Sequence, residues 1–182
     1  MNEIILSKNS VFHGYLPTIS HVDHEEIIKW FGEKLKDFEF SEKENRFMDL
    51  EVPCSQHMQW VYEYFGDKYS ISNPYCLVPL RFFALIHKKH ETSQRRTYFI
   101  KNGTDPNKMP DYTLMYFLKA KEGNLYIDYD NHRNKHDHWK IPFKERKAIM
   151  WDSDLVHYLP PNMDDELRIT MVGLFQRDAF KT

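Results

Sequence analysis

Apolar positions change their period part-way along the chain. Between Asp23 and Leu35 they recur at helical spacing, at Ile27, Ile28, Phe31 and Leu35. Asp23, with Glu26 three positions later, makes a capping-box-like start to that helix. After Pro53 a second helix opens at Ser55. It carries Met58, Val61, Tyr62 and Phe65 on one face, and Gly66 is the expected C-cap. From about position 75 the pattern becomes short β-branched and aromatic runs between turn residues. The runs are 77–87, 96–101, 112–119, 124–130, 139–143, 148–152, 155–159 and 168–175. About eight short strands at this spacing predict a jelly roll, mainly β, with two N-terminal helices packed outside it.

Composition supports a packed core. The chain has 182 residues, 41% of them hydrophobic and 15% aromatic. That length fits one domain over 1–182, with a helical support region over 1–70 and a jelly-roll core over 75–178. No stretch approaches the ~18–20 apolar residues of a membrane span, and the first six residues are too short for a secretory signal. Two cysteines, Cys54 and Cys76, do not make a disulfide framework, so a reducing, cytoplasmic setting is expected. With 25 basic and 27 acidic side chains, the formal charge of −2 carries no strong nucleic-acid signal.

The last seventy or so positions hold the informative order. Tyr112-Thr-Leu-Met-Tyr-Phe-Leu118 is followed by Gly123-Asn-Leu-Tyr126, then Trp139-Lys-Ile-Pro142 and Ala148-Ile-Met-Trp-Asp152. His157 comes next, and Arg168 opens the final strand eleven positions later. Over about 98–175 this resembles the Fe(II)- and 2-oxoglutarate-dependent dioxygenases, the prolyl-hydroxylase-like branch in particular. The resemblance implies a cupin-like double-stranded β-helix. It also implies an enzyme that couples 2-oxoglutarate decarboxylation to hydroxylation of a peptide, amino acid or other small substrate.

Such enzymes hold Fe(II) on two His and one carboxylate and leave the other positions open. A buried Arg grips the far carboxylate of 2-oxoglutarate with two parallel hydrogen bonds. By resemblance, His157 is an iron ligand and Arg168 the 2-oxoglutarate anchor. By the same resemblance Asp105 takes the carboxylate position of the family's His-x-Asp motif, with Gly103 where that motif has its His; read from the residues alone, Asp105 is equally a turn residue after Asn102-Gly103. Phe117 falls where relatives often carry a Tyr that bonds the co-substrate, so Tyr116 or Thr170 is expected to make that contact.

Other candidates read more simply. His21-Val-Asp23 copies the motif, but Asp23 is a helix cap. His132, His136 and His138 crowd one hairpin, where a polar loop tip is the plain expectation. With His157 they would make a cupin-like site for a different metal. His87, Lys88, Lys89 and His90, with Arg95 and Arg96, form a basic turn, for which a solvated loop is the plain expectation and contact with phosphate or an acidic partner the alternative. Asp128 and Asp130 alternate outward as rim residues, and Cys54 is structural. The missing His leaves a rival from another class: a jelly roll that has lost iron and serves as a binding module.

Overall fold

The computed structural model describes residues 2–6, 9–18, 22–36, 50–72, 75–98, 109–128 and 138–179. Its strands are β1 (Asn2–Leu6), β2 (Asn9–Tyr15), β3 (Leu50–Pro53), β4 (Tyr75–His87) and β5 (Tyr112–Lys119). They continue with β6 (Gly123–Asp128), β7 (His138–Phe143), β8 (Lys147–Asp152), β9 (His157–Tyr158) and β10 (Arg168–Ala179). The helices are α1 (His24–Lys34) and α2 (Ser55–Ser72).

Seven strands form one sheet in the order β1-β2-β8-β5-β10-β4-β3, and three form a second in the order β7-β6-β9. The described pairings within both sheets are antiparallel. Two sheets facing each other in this way make the expected jelly roll. The N-terminal region differs from expectation: β1, β2 and β3 extend the large sheet, so this region is not helical support alone. Such edge strands cover backbone groups that would otherwise stay unpaired.

Period-2 alternation sends the large sheet's side chains to two separate cores. Between the sheets, Phe83, Leu85, Met115, Phe117, Ile149, Trp151 and Val172 pack against Leu125, Ile127, Ile141 and Phe143 of the small sheet. On the other face, Ala84, Ile86, Leu114, Tyr116, Leu118 and Met171 meet Ile27 and Phe31 of α1 and Met58, Trp60, Val61 and Phe65 of α2. Because both faces are covered, β5 is buried at every position from Tyr112 to Leu118.

Local chemistry sets the helix ends. Asp23 caps α1 by accepting hydrogen bonds from the backbone N–H of Glu25 at 2.9 Å and Glu26 at 3.2 Å. Helix α2 starts at Ser55 as expected but runs through Gly66 to Ser72. Gly66 is therefore not a C-cap. A Cβ there would meet only the Tyr62 ring, at 3.5 Å, so the helix tolerates the position at the ~1 kcal/mol propensity cost of an interior glycine. A bulge in β4 leaves Leu80 out of the register with β10, between Leu174 and Phe175, directly beside Pro79. Proline lacks the ladder N–H and is accommodated at such irregularities.

Candidate functional site

His157 opens β9 in the small sheet, pinned from both sides. Its N–H donates to the Arg96 carbonyl at 2.8 Å, and the Arg96 N–H donates back at 3.1 Å. The ring is 1% exposed and lies between Tyr98, 5.1 Å away by centroids, and Trp151, at 4.9 Å. Nδ1 lies 3.2 Å from the Leu155 carbonyl, which only accepts, so Nδ1 carries the proton. Nε2 is left as a bare acceptor, buried and without a partner among the described residues. Burial, offset in part by the Leu155 bond and reinforced by the Arg96 charge, lowers the imidazole pKa to about 4. His157 is thus neutral near pH 7, the form that ligates metals.

Arg168 begins β10 and is 4% exposed. Nη1 donates to the Pro160 carbonyl at 2.8 Å, while Nε and Nη2 are buried without partners among the described residues. Burial lowers its pKa to about 10, leaving it charged at neutral pH. Thr170, two positions along and on the same inward face, also has a buried, unpartnered hydroxyl. A cavity of about 220 Å³ has Arg168 in its wall, bounded by the ion pairs Lys119–Glu166 at 3.0 Å and Lys121–Asp164 at 2.8 Å. Beside Arg168 in the ladder, His87 has its pKa lowered to about 3, by burial first and the Arg168 charge second.

Alternation therefore turns both groups inward from facing layers. Pro160, which holds Arg168, is three residues from His157, so at most ~10–11 Å of chain separates the two anchor points. Hydrophobic side chains occupy the neighbouring inward positions. Ile127 is paired directly opposite His157, Leu159 follows it two positions along the chain, and Leu85 and Phe117 flank Thr170. Phe117 stacks on Phe143 with centroids 4.0 Å apart and planes 5° from parallel. Phe143 in turn covers Gly123, where a Cβ would come within 2.7 Å of the ring.

Several expectations need correction. Tyr116 does not face the interior, because strand alternation puts it opposite Phe117. Its hydroxyl pairs with Nδ1 of His24 at 3.1 Å under α1, so it makes no co-substrate contact. Asp128 is not a rim residue: it is 4% exposed and its carboxylate pairs with Arg95 at 2.6 Å. Arg96 turns to Glu51 at 3.5 Å and lies over the Tyr98 ring. These contacts give both arginines internal carboxylate partners, so the turn is not a free basic patch. His138 lies on β7 with its ring against Tyr126 at 4.9 Å.

Asp105, Gly103, His21, Asp130, His132 and His136 lie outside the described residues. Among the described residues no three His, Cys, Asp or Glu side chains gather closely enough to hold a metal ion. Cys54 is fully buried, and burial pushes its thiol up to about 12, so it is structural.

Sequence reasoning missed two polar groups beside His157. Nε1 of Trp151 and the Tyr98 hydroxyl are both buried without partners among the described residues. Burial raises the Tyr98 pKa to about 12 and keeps it a phenol. The signal for Trp151 was present in the period of 148–152, which puts it on the same face as Ile149. Tyr98 lies in the predicted run 96–101, but nothing local in that run shows that it meets the His157 ring.

No protein-family model matches this sequence, and neither does any curated protein. Solved structures do match. A Pseudomonas putida prolyl-4-hydroxylase aligns over 93% of this chain and 93% of its own, with TM-score 0.57 and 8% identity. A Trichoplax adhaerens prolyl hydroxylase, bound to a hypoxia inducible factor peptide fragment, aligns over 83% and 74% with TM-score 0.58 and 13% identity. The non-heme α-ketoglutarate-dependent carbocyclase SnoK from nogalamycin biosynthesis aligns over 91% and 78% with TM-score 0.59 and 11% identity. The fold is the double-stranded β-helix of the 2-oxoglutarate oxygenases. At these identities the likeness is one of fold, and chemistry has to be argued from the residues themselves.

Proposed function

We propose that this protein is an Fe(II)- and 2-oxoglutarate-dependent oxygenase acting on a peptide, amino acid or other small substrate. The observation that carries the reading is the pair of unsatisfied inward groups in one barrel: the bare Nε2 of neutral His157, and the Nε and Nη2 donors of charged Arg168. A buried polar atom without a partner costs about 1–3 kcal/mol, which a bound ligand recovers. Both groups fit the proposed occupants. His157, with its tautomer fixed by the Leu155 carbonyl, would contribute an imidazole to the metal, with Asp105 as the carboxylate. Arg168 would grip the distal carboxylate of 2-oxoglutarate through Nε and Nη2, and Thr170 would add a hydroxyl. The ferrous ion, when bound, supplies oxygen activation. The protein's part is to hold the co-substrate, keep His157 unprotonated and exclude water with the Phe117–Phe143 pair. Two free thiols suit a cytoplasmic setting.

Anaerobic addition of Fe(II) and 2-oxoglutarate should give a weak visible charge-transfer band and raise the unfolding midpoint. Arg168→Ala should raise the 2-oxoglutarate requirement about ten- to a hundredfold, for a lost charged contact of ~1.5–3 kcal/mol. An unchanged requirement removes Arg168 from the site. His157→Ala should abolish the band, and a full band in that variant ends the metal assignment.

A second reading has specific support: a jelly roll that binds without iron. The sequence has no His between His90 and His132, and the interior between the two anchors is lined by Leu85, Phe117, Leu125, Phe143 and Leu159. If 2-oxoglutarate stabilises the chain equally with and without metal, this reading replaces the first.

A further inference from the structure

A second concave site lies on the other side of the large sheet, in the cleft between α1 and α2. It encloses about 580 Å³, within the ~300–1,000 Å³ typical of ligand pockets. Its walls include the rings of Trp30, His57 and Trp60, and the carboxylates of Asp23, Glu26 and Glu63 stand around it. Neither lysine nor arginine is among the lining residues.

Two observations beyond charge point to a ligand. Trp60 is 7% exposed, and its Nε1–H, which can only donate, has no acceptor among the described residues. Nε2 of His57 is likewise buried and unpartnered. The rings themselves are well supported. Trp60 packs edge-on against His24 at 5.3 Å and Tyr116 at 5.2 Å, and His57 packs against Trp30 at 4.5 Å. The unmet demand is therefore for hydrogen bonds and not for packing. The cleft already draws one cation to its edge, with Nζ of Lys34 lying 5.8 Å from the Trp30 ring centroid.

We infer that this cleft docks a peptide segment bearing an arginine or lysine, with the cationic head among Trp30, Glu26 and Glu63 and a main-chain carbonyl on the Trp60 Nε1–H. Aromatic faces attract cations through the negative face of the ring quadrupole. The flanking carboxylates select against acidic partners more strongly than they add affinity. The inference stands apart from the barrel chemistry, since the cleft lies on the opposite face of the sheet from His157 and Arg168.

Indole N–H resonances of the ¹⁵N-labelled full chain test it, with the Trp60 signal assigned through Trp60→Phe. The probe is a short acetylated and amidated glycine peptide carrying one arginine, titrated to millimolar concentration. The Trp60 signal should shift and saturate while the Trp151 signal stays in place. Glu26→Gln combined with Glu63→Gln should weaken binding about five- to tenfold, because exposed ion pairs each contribute little. Three outcomes overturn the inference: no Trp60 shift, an equal shift with glutamate in place of arginine, or unchanged affinity in the double variant. Choline moving the signal as strongly as the peptide also overturns it, in favour of a small free cation.

Discussion

The two faces of the seven-stranded sheet each bury a cluster of aromatic and aliphatic side chains, the larger one under the helices, but they treat polar atoms differently. Under the helices, the Tyr116 hydroxyl and His24 Nδ1 satisfy one another at 3.1 Å, and the unpartnered atoms belong to the α1–α2 cleft. Inside the barrel, Thr170, Arg168, Trp151, Tyr98 and His157 all keep polar atoms that are buried and unpartnered among the described residues. Stability alone does not account for such groups, because a well-packed apolar substitute would usually do better. The helix face is built mainly to hold the sheet, and the inner face gives up stability to keep donors and an acceptor open.

The largest expected effect tests whether the inner face is nonetheless a tightly packed core. Phe117→Ala should cost about 3–5 kcal/mol in denaturant unfolding, since it removes a stacked, fully buried ring. A loss under 1 kcal/mol would mean the interior is loosely filled and open to large ligands.

Acid should act next, mainly through the inner face. His157 and His87 hold folded pKa values of about 4 and about 3, against 6.5 when unfolded. Below pH ~6.5 the unfolded chain takes up two protons that the folded chain refuses. Their contribution is full above that pH and is lost as pH falls toward 4. Asp152 works the other way. Burial and the Asp154 charge raise it from 3.8 to about 6, so the folded state takes its proton first. For these three groups the net is about one proton, or ~1.4 kcal/mol per pH unit between 6 and 4, and the lowered pKa values of His13, His24 and His57 act in the same direction as those of the two histidines. Urea midpoints should fall over that window, and Asp152→Asn should steepen the fall. A flat profile would place the two histidines in contact with water.

The smallest effects give the sharpest contrast. Tyr116→Phe should lower stability by about 1 kcal/mol, because it strands His24 Nδ1. Arg168→Met should be neutral or stabilising by about 1 kcal/mol, because it removes a buried charge with two unmet donors. Equal losses in the two variants, measured by the same denaturant titration, would erase the distinction between the faces.

Much of this architecture is readable in the residues before any fold is known. The change of hydrophobic period near position 75, the Asp23 cap, the start of α2 at Ser55 and most core strands follow from local patterning, since each depends on neighbours a few residues apart. The order of His157 and Arg168 behind their strands is equally local. Which face of β5 looks inward is not. With every position from Tyr112 to Leu118 buried, no polar alternation marks a side. Only the placement of helices and small sheet separates Tyr116, paired beneath α1, from Phe117, stacked in the barrel.

The same reason covers Asp128, whose burial depends on Arg95 arriving from 33 residues away. It also covers the α1–α2 cleft, whose two tryptophans and three carboxylates are ordinary helix residues until the helices sit side by side. Short-range periodicity determined the two helices and most core strands, and the resemblance to the oxygenases singled out the candidate pair. Long-range packing decided which polar atoms were left without partners, because satisfaction of a buried group depends on what the rest of the chain brings to it.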